Sequence, residues 1–275
     1  MNKEQIKSFA HDIRLSVING AHNAGRQGVH IGGALSCVDI LAVLYGAVMN
    51  IDPMNPCDVN RDRLILSKGH DCLALYAVLK EKGFITAEEL KENYLQDGGF
   101  LPTHPVKNLE KGIEFSGGSL GLGLGFGIGE ALAARINNKS YKTFVIMGDG
   151  ECDEGSCWEA FIAASHYKLN NLILYVDKNG FQSDGAIADI MPIDITSALK
   201  ALGWNVYEVD GHDTDVLYDV TIEALGNENT PSAIIANTVK GKGVSFMEGN
   251  NAWHHGHLTE EQFEQSINEL ELYGN

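Results

Sequence analysis

The sequence predicts an α/β protein: a doubly wound, mainly parallel sheet with helices on both faces. Three observations predict it. Short apolar runs of strand length (Arg63 to Leu66, Thr143 to Met147, Leu172 to Val176, Asn205 to Val209, Ala233 to Ala236) alternate with stretches of helical periodicity. Three of these runs stop at acidic turns: Gly148-Asp149-Gly150, Asp177-Lys178-Asn179-Gly180 and Asp210-Gly211-His212-Asp213. The length, 275 residues, suits one large α/β unit spanning 1–275 better than two independent ones.

From Glu4 to Ala24, Ile6, Phe9, Ile13, Val17 and Ile18 recur at helical spacing and predict a helix. Gly25 to Gly33 holds four glycines around His30 and reads as a loop. Ser36 is placed to cap a helix running through roughly Val48. Asp52 to Asp62 contains two prolines and several turn formers. Arg63 to Leu66 is then a short strand, Ser67-Lys68-Gly69-His70 a turn, and Leu73 to Lys82 a helix. Thr86-Ala87-Glu88-Glu89 has capping-box spacing and opens another helix. Gly98 to Gly118 is loop, with Pro102-Thr103-His104-Pro105 inside it. Ser119 to Ile136 is glycine-dense yet apolar and is expected to be helical. Glycine weakens a helix by about 1 kcal/mol relative to alanine. The six glycines between Gly117 and Gly127 therefore imply close backbone approach to a ligand or another helix.

The segment Lys142 to Gln182 reads as strand, acidic turn, helix led by Ser156, strand, acidic turn. A helix (Asp194 to Leu202), a strand, a helix (Val216 to Leu225) and the last strand follow. Lys240-Gly241-Lys242-Gly243 and Trp253-His254-His255-Gly256 lie in a long loop, and Thr259-Glu260-Glu261-Gln262 caps a final helix.

Composition narrows the function classes. Asp and Glu total 37 against 20 Lys and Arg, a formal charge of −17, which disfavours nucleic acid and anionic membrane as partners. An anionic cofactor would need local help from a metal, histidines or helix N-termini. The five cysteines (Cys37, Cys57, Cys72, Cys152, Cys157) complete no zinc-ligand spacing and read as free thiols of a reducing cytosol. Met1 to Gln5 lacks the apolar core of a signal peptide and no later run is long enough to span a membrane, so the expectation is a soluble cytoplasmic protein.

The central segment carries the chemistry. A βαβ unit brings the ends of both strands to one edge of a parallel sheet, so Asp149 and Asn179 are expected to face each other across a crevice. Two oxygen ligands there suit a hard divalent cation carrying a phosphate. Gly148-Asp149-Gly150-Glu151 through Asn179-Gly180 resembles the thiamine diphosphate binding motif. The longer string from Gly148 to Gly155, with Trp158-Glu159-Ala160, resembles transketolases in particular. The resemblance implies thiamine diphosphate as cofactor. It also implies magnesium, with calcium or manganese as substitutes, held by Asp149, Asn179 and the main-chain carbonyl of Phe181.

It extends along nearly the whole chain. Gly28-Val29-His30-Ile31-Gly32-Gly33 resembles the family's first histidine loop, with Val29 in place of glycine and Gln27 in place of serine. Leu66-Ser67-Lys68-Gly69-His70 and Pro102-Thr103-His104-Pro105 match the second and third histidine motifs. Gly118-Ser119-Leu120-Gly121 matches the loop laid against the cofactor, with Leu122 where glutamine is usual. Trp253-His254-His255-Gly256 matches the last histidine motif. Its doubled histidine leaves the register open, and His255 is favoured because it precedes the glycine.

By this resemblance, His30 and His104 contact the donor sugar's first hydroxyl and carbonyl, and His70 and His255 lie near the diphosphate and the reacting oxygen. Lys240 and Lys242 either reach a phosphate or form a solvated loop pair. Glu154 and Glu159 read as surface charges from spacing alone; the resemblance puts them at a subunit contact, in a chain of acids linking two active sites. His11, His22, His166 and His212 belong to no motif and read as structural or solvated.

The resemblance also implies a missing part. Transketolases activate the cofactor with a glutamate on a pyrimidine-binding domain, and no second α/β block follows the last helix here. The expectation is the N-terminal half of a split transketolase, with a partner chain supplying that domain in an α2β2 heterotetramer. The expected reaction moves a two-carbon ketol unit from a ketose to an aldose, either of them a sugar or a sugar phosphate, as in pentose phosphate metabolism. The rival readings are a pyruvate-decarboxylating synthase, a 2-oxo acid dehydrogenase α subunit, and a non-catalytic regulatory subunit.

Overall fold

The computed structural model describes residues 1–273. Its centre is a five-stranded parallel sheet of β1 (Arg63–Leu66), β2 (Thr143–Gly148), β3 (Leu172–Lys178), β6 (Asn205–Asp210) and β7 (Ser232–Asn237), ordered β1-β2-β3-β7-β6. A two-stranded hairpin, β4 (Phe181–Gln182) and β5 (Gly185–Ala186), stands outside it at the exit of β3, and the short helix α8 (Ile187–Ile190) follows it. The α/β class and the parallel sheet expected from the sequence are both found.

Alternation along the strands makes two cores. In β2, Phe144 and Ile146 face one core while Val145 and Met147 face the other; in β3, Ile173 and Tyr175 oppose Leu174 and Val176. This is the period-two geometry of a strand covered on both faces. The first core is closed by α1 (Lys3–Asn23), α2 (Ile31–Ser36), α3 (Val38–Val43), α4 (Cys72–Lys82) and α10 (Thr214–Leu225), the second by α6 (Gly123–Ile136), α7 (Gly155–His166) and α9 (Ile195–Ala201). Among the described residues no helix is long and apolar enough to cross a membrane.

Caps set several helix ends. Asn2 and Gln5 form a reciprocal capping box at the start of α1, and Thr86 and Glu89 form the expected one at α5 (Ala87–Asn93). Thr259 and Gln262 exchange the same pair of bonds ahead of α11 (Glu260–Tyr273).

One expectation is corrected. Ser36 caps no helix: α2 starts at Ile31, directly after His30, and Ser36 is its last residue. Every residue from Ile31 to Tyr45 is buried, so no polar face marks where the helix begins. The Ser36 hydroxyl instead donates to Asp177 across the first core, at 2.5 Å.

The glycine-rich stretch also differs. The helix starts at Gly123 rather than Ser119, and its glycines meet specific neighbours. A side chain on Gly127 would lie 2.5 Å from the Val145 methyl, so α6 sits directly on β2. Gly121 has φ of +79°, the left-handed turn that lets the chain enter the helix. The close approach is thus mainly to the sheet and to loops.

Candidate active site

The parallel register puts the exits of β2 and β3 side by side, with Gly148 opposite Asp177. Asp149 follows the first strand and Asn179 the second, and both line one cavity of about 390 Å³. The corner is knitted by backbone. The N–H groups of Gly180 and Gly150 donate to the Asp149 carboxylate at 2.7 and 3.0 Å, and the Phe181 N–H donates to Asn179 Oδ1 at 3.0 Å. A side chain on Gly150 would come 2.8 Å from Gln182 Cβ, so glycine is needed where the metal-loop turn meets the hairpin.

Asp149 has no cationic partner at ion-pair distance among the described residues. Burial first, then the Asp177 carboxylate, pushes its carboxyl up to about 7, against the two N–H groups that pull it down. A cation at this corner would restore the charge. No group of three or more His, Cys, Asp or Glu among the described residues is arranged to hold a metal ion. The corner's set of one carboxylate, one amide and one carbonyl is of a different kind, suited to a hard ion that keeps phosphate and water as its other ligands.

The histidine loops reach the same cavity. His30, at the N-cap of α2, packs its ring 5.0 Å from that of His70, 5.2 Å from His254 and 6.5 Å from His104. Burial, with His70 beside it, pushes His30 down to about 3. Burial and the Lys240 ammonium push His254 down to about 4. Both rings are therefore neutral near pH 7 and act as hydrogen-bond groups. Lys240 is 1% exposed, and its ammonium bonds Asn251 Oδ1 at 2.9 Å and His254 Nδ1 at 3.1 Å. It is a buried group of the cavity wall and not half of a solvated pair. Three buried polar atoms on this wall have no partner: His30 Nδ1, Asp71 Oδ1 and Gln182 Oε1. Such orphans cost free energy unless a ligand or water meets them, so the wall fits a polar guest.

Most residues singled out from the sequence meet here. His30, His70, Gly118, Leu120, Gly148, Asp149, Gly150, Glu151, Glu154, Asn179, Phe181 and Lys240 all line the cavity. Five do not. His104 has its ring 6.5 Å from that of His30, Ser119 and Glu159 are exposed, His255 packs 4.8 Å edge-on against His30, and Lys242 pairs with Glu248 at 3.3 Å. The histidine of the last motif on the wall is His254, because the short helical turn Asn251–His254 aims it inward while His255 leaves in extended conformation. Glu151 is used from within. It accepts from Ser67 and from the N–H groups of Gly121 (2.8 Å) and Gly148 (3.1 Å), so it ties three loops together. Lys68, Asp71 and Asp177 were not singled out, although Lys68 and Asp177 lie inside quoted strings; a buried ion cluster leaves no periodicity. His212 is structural. Its Nε2 accepts the N–H of Val239, next to Lys240, while Nδ1–H donates to Asp39, both at 2.8 Å.

Comparison with known proteins agrees with this geometry. The family described as "Transketolase, thiamine diphosphate binding domain" matches residues 6–273. The chain is 42% identical over 252 residues to the 6-deoxy-6-sulfo-D-fructose transketolase subunit SqwG of a Clostridium species, covering 91% of each. It is 40% identical over 242 residues to one of the subunits of the apulose-4-phosphate transketolase of Phocaeicola vulgatus, covering 88% of this chain and 85% of that one. Against human transketolase it is 36% identical over 97% of its own length but spans 42% of that protein. The transketolase structure from Leishmania mexicana superposes with a TM-score of 0.89 at 29% identity, over 97% of this chain and 41% of that one. By family match, relatives and architecture together, the chain belongs to the transketolase family, as its thiamine diphosphate binding domain.

Proposed function

We propose that the chain is the diphosphate-anchoring subunit of a two-chain transketolase that transfers a two-carbon ketol unit from a ketose to an aldose. The observation that carries this is the convergence of His30, His70 and His254 on the cavity that also holds the Asp149–Asn179 corner, with the His104 ring 6.5 Å from that of His30. When bound, thiamine diphosphate supplies the nucleophilic carbon that receives the ketol unit. Asp149, Asn179 and the Phe181 carbonyl would hold magnesium, which would supply positive charge for the diphosphate. Lys240 adds positive charge, and the neutral His254 ring an N–H donor, to that end of the cavity. His30 and His104 are donors and acceptors for the sugar's hydroxyl and carbonyl oxygens, and burial keeps His30 uncharged for that role. Gly118 and Leu120 wall the cofactor, held in place through Glu151.

The subunit names of the two bacterial relatives support a separate partner chain carrying the pyrimidine domain and the activating glutamate. We take the assembly to be a cytoplasmic α2β2 heterotetramer, with Glu154 and Glu159 near the contact between chains. Those relatives' substrates, apulose 4-phosphate and 6-deoxy-6-sulfofructose, support an anionic ketose as donor.

The test is reconstitution. The chain alone, given thiamine diphosphate and magnesium, should transfer no ketol groups, and adding the partner chain should restore transfer. Full activity without a partner, or release of carbon dioxide from pyruvate by the pair, would overturn the proposal.

A further inference from the structure

The cavity wall also carries an ion cluster to which the sequence motifs assign no role. Lys68, 2% exposed, spends its three N–H donors on three segments: the Gly33 carbonyl of α2 at 3.0 Å, Asp71 Oδ2 at 2.9 Å, and Asp177 at the end of β3. Burial works against this charge, but Asp177 and Asp71 outweigh it and hold the ammonium well above its ordinary range. The cluster is therefore one cation between two anions.

The two carboxylates are not equivalent. Asp177 is saturated: besides Lys68 it accepts from Ser36 at 2.5 Å, from Thr238, and distantly from Asn179 at 3.5 Å. Asp71, 1% exposed, has Lys68 as its hydrogen-bond donor, and its Oδ1 has none. The unmet acceptor capacity of the cluster thus sits on Asp71. Asp71 also faces His70, whose Nε2 lies 3.6 Å from Oδ2, the oxygen that Lys68 holds, at ion-pair range and short of a hydrogen bond. Catalytic hydrogen bonds are often this long before a ligand tightens them. Asp71 has no room to swing away, since its carboxylate is packed against the Cα of Gly33, where a side chain would overlap both oxygens.

His70 is faced by Asp71 and Lys68 from its own turn, by His30 from the start of α2, by His104 from the Pro102 loop, and by Lys240 and His254 from the segment after β7. Burial holds His70 below its ordinary value, and Asp71 is the anion among these neighbours that opposes it. No carboxylate lies within ion-pair distance of His30 or His254 among the described residues.

We propose that Asp71, anchored by Lys68, is a positioning residue that aims the His70 imidazole and makes His70 the ring that takes up a proton in this cavity. His30 and His254 then remain neutral donors and acceptors, so the cavity divides its histidines into one proton carrier and two hydrogen-bond partners. The activity arm of the test rests on the transketolase reading; the titration does not.

The test is a proton titration of the full chain, labelled with 13C-histidine and free of cofactor, with the His70 signal assigned by its loss in His70→Gln. Replacing the carboxylate by an amide (Asp71→Asn) should lower the His70 midpoint by roughly one unit, the scale of a lost close charge, and leave His166 unmoved. Should the amide misfold beside Lys68, Asp71→Ala reads the same shift. In the reconstituted two-chain enzyme, Asp71→Asn should lower kcat and move the acid limb of the pH profile, yet cost nothing further on a His70→Gln background. A His70 midpoint that stays or rises, or losses that add in the double variant, would overturn the assignment. An inactive reconstituted pair with the titration shift intact would instead overturn the transketolase reading alone.

Discussion

Asp149 is buried enough to resist ionisation and yet has only two backbone N–H groups to hold its charge. A divalent ion would resolve that conflict. Asp149→Ala is therefore expected to weaken magnesium-dependent thiamine diphosphate binding by about 100-fold or more, read by calorimetry, while far-UV circular dichroism stays unchanged. His30→Ala should lower ketol transfer by the reconstituted enzyme by about a hundred- to ten-thousand-fold, the usual range for a group that shares protons or hydrogen bonds with the reacting atoms. The neutral histidines also couple stability to pH. His30 and His254 are held near 3 and 4, below the unfolded value of about 6.5. Between those limits the unfolded chain binds protons that the folded chain refuses. Their contribution is complete above about pH 6.5 and is lost as the pH falls toward 4. Urea unfolding at pH 7 and pH 5 should show that loss, and the double variant His30→Gln, His254→Gln should shrink it; an unchanged difference would refute the account.

The elements divide their surfaces between sheet and solvent, and α6 shows it most clearly. Gly127 touches Val145, whereas Gly125 has nothing within 4 Å of where a side chain would begin. Gly127→Leu is therefore expected to destabilise the chain by about 1–3 kcal/mol through overpacking. Gly125→Ala should be neutral or stabilising by up to about 1 kcal/mol, because only helix propensity changes. Equal effects in urea unfolding would mean that the two faces of α6 are not distinguished. This scale is also where the sequence was most and least readable. Strands β2 and β3 were plain because long apolar runs ended at acidic turns, and the Thr86 and Thr259 caps carry their own signature. The start of α2 was hidden because both faces of that helix are buried. The turn of His254 into the cavity depended on a short helical turn set by Asn250, whose side chain accepts from Ala252, and motif matching favoured the adjacent His255 because it precedes the glycine. In the Lys68–Asp71–Asp177 cluster, Asp177 lies 109 positions from Lys68, a relation that no local pattern encodes.

The whole molecule is one sheet shared by two cores, and protection should follow position in it. β3 is central and buried through Asp177, while β6 is an edge strand with most residues part-exposed. Hydrogen exchange should be slowest in β3 and markedly faster in β6; the reverse order would contradict the fold. The strand order has a further consequence, for biosynthesis. Arg63 of β1 pairs with Thr143 of β2, and β3 pairs with β7, which follows β6 in the chain, so the sheet is built from contacts between segments made far apart in time. Such non-local pairing is slow, because each pairing must first close a long loop. The wall of the cavity is completed only by Lys240 and His254, which leave the ribosome after every strand of the sheet. A nascent chain released through the β4–β5 hairpin carries Asp149 and Asn179 but lacks Lys240 and His254. Thiamine diphosphate then cannot template the early stages of folding, and its stabilising effect, which requires a finished site, falls on the completed chain.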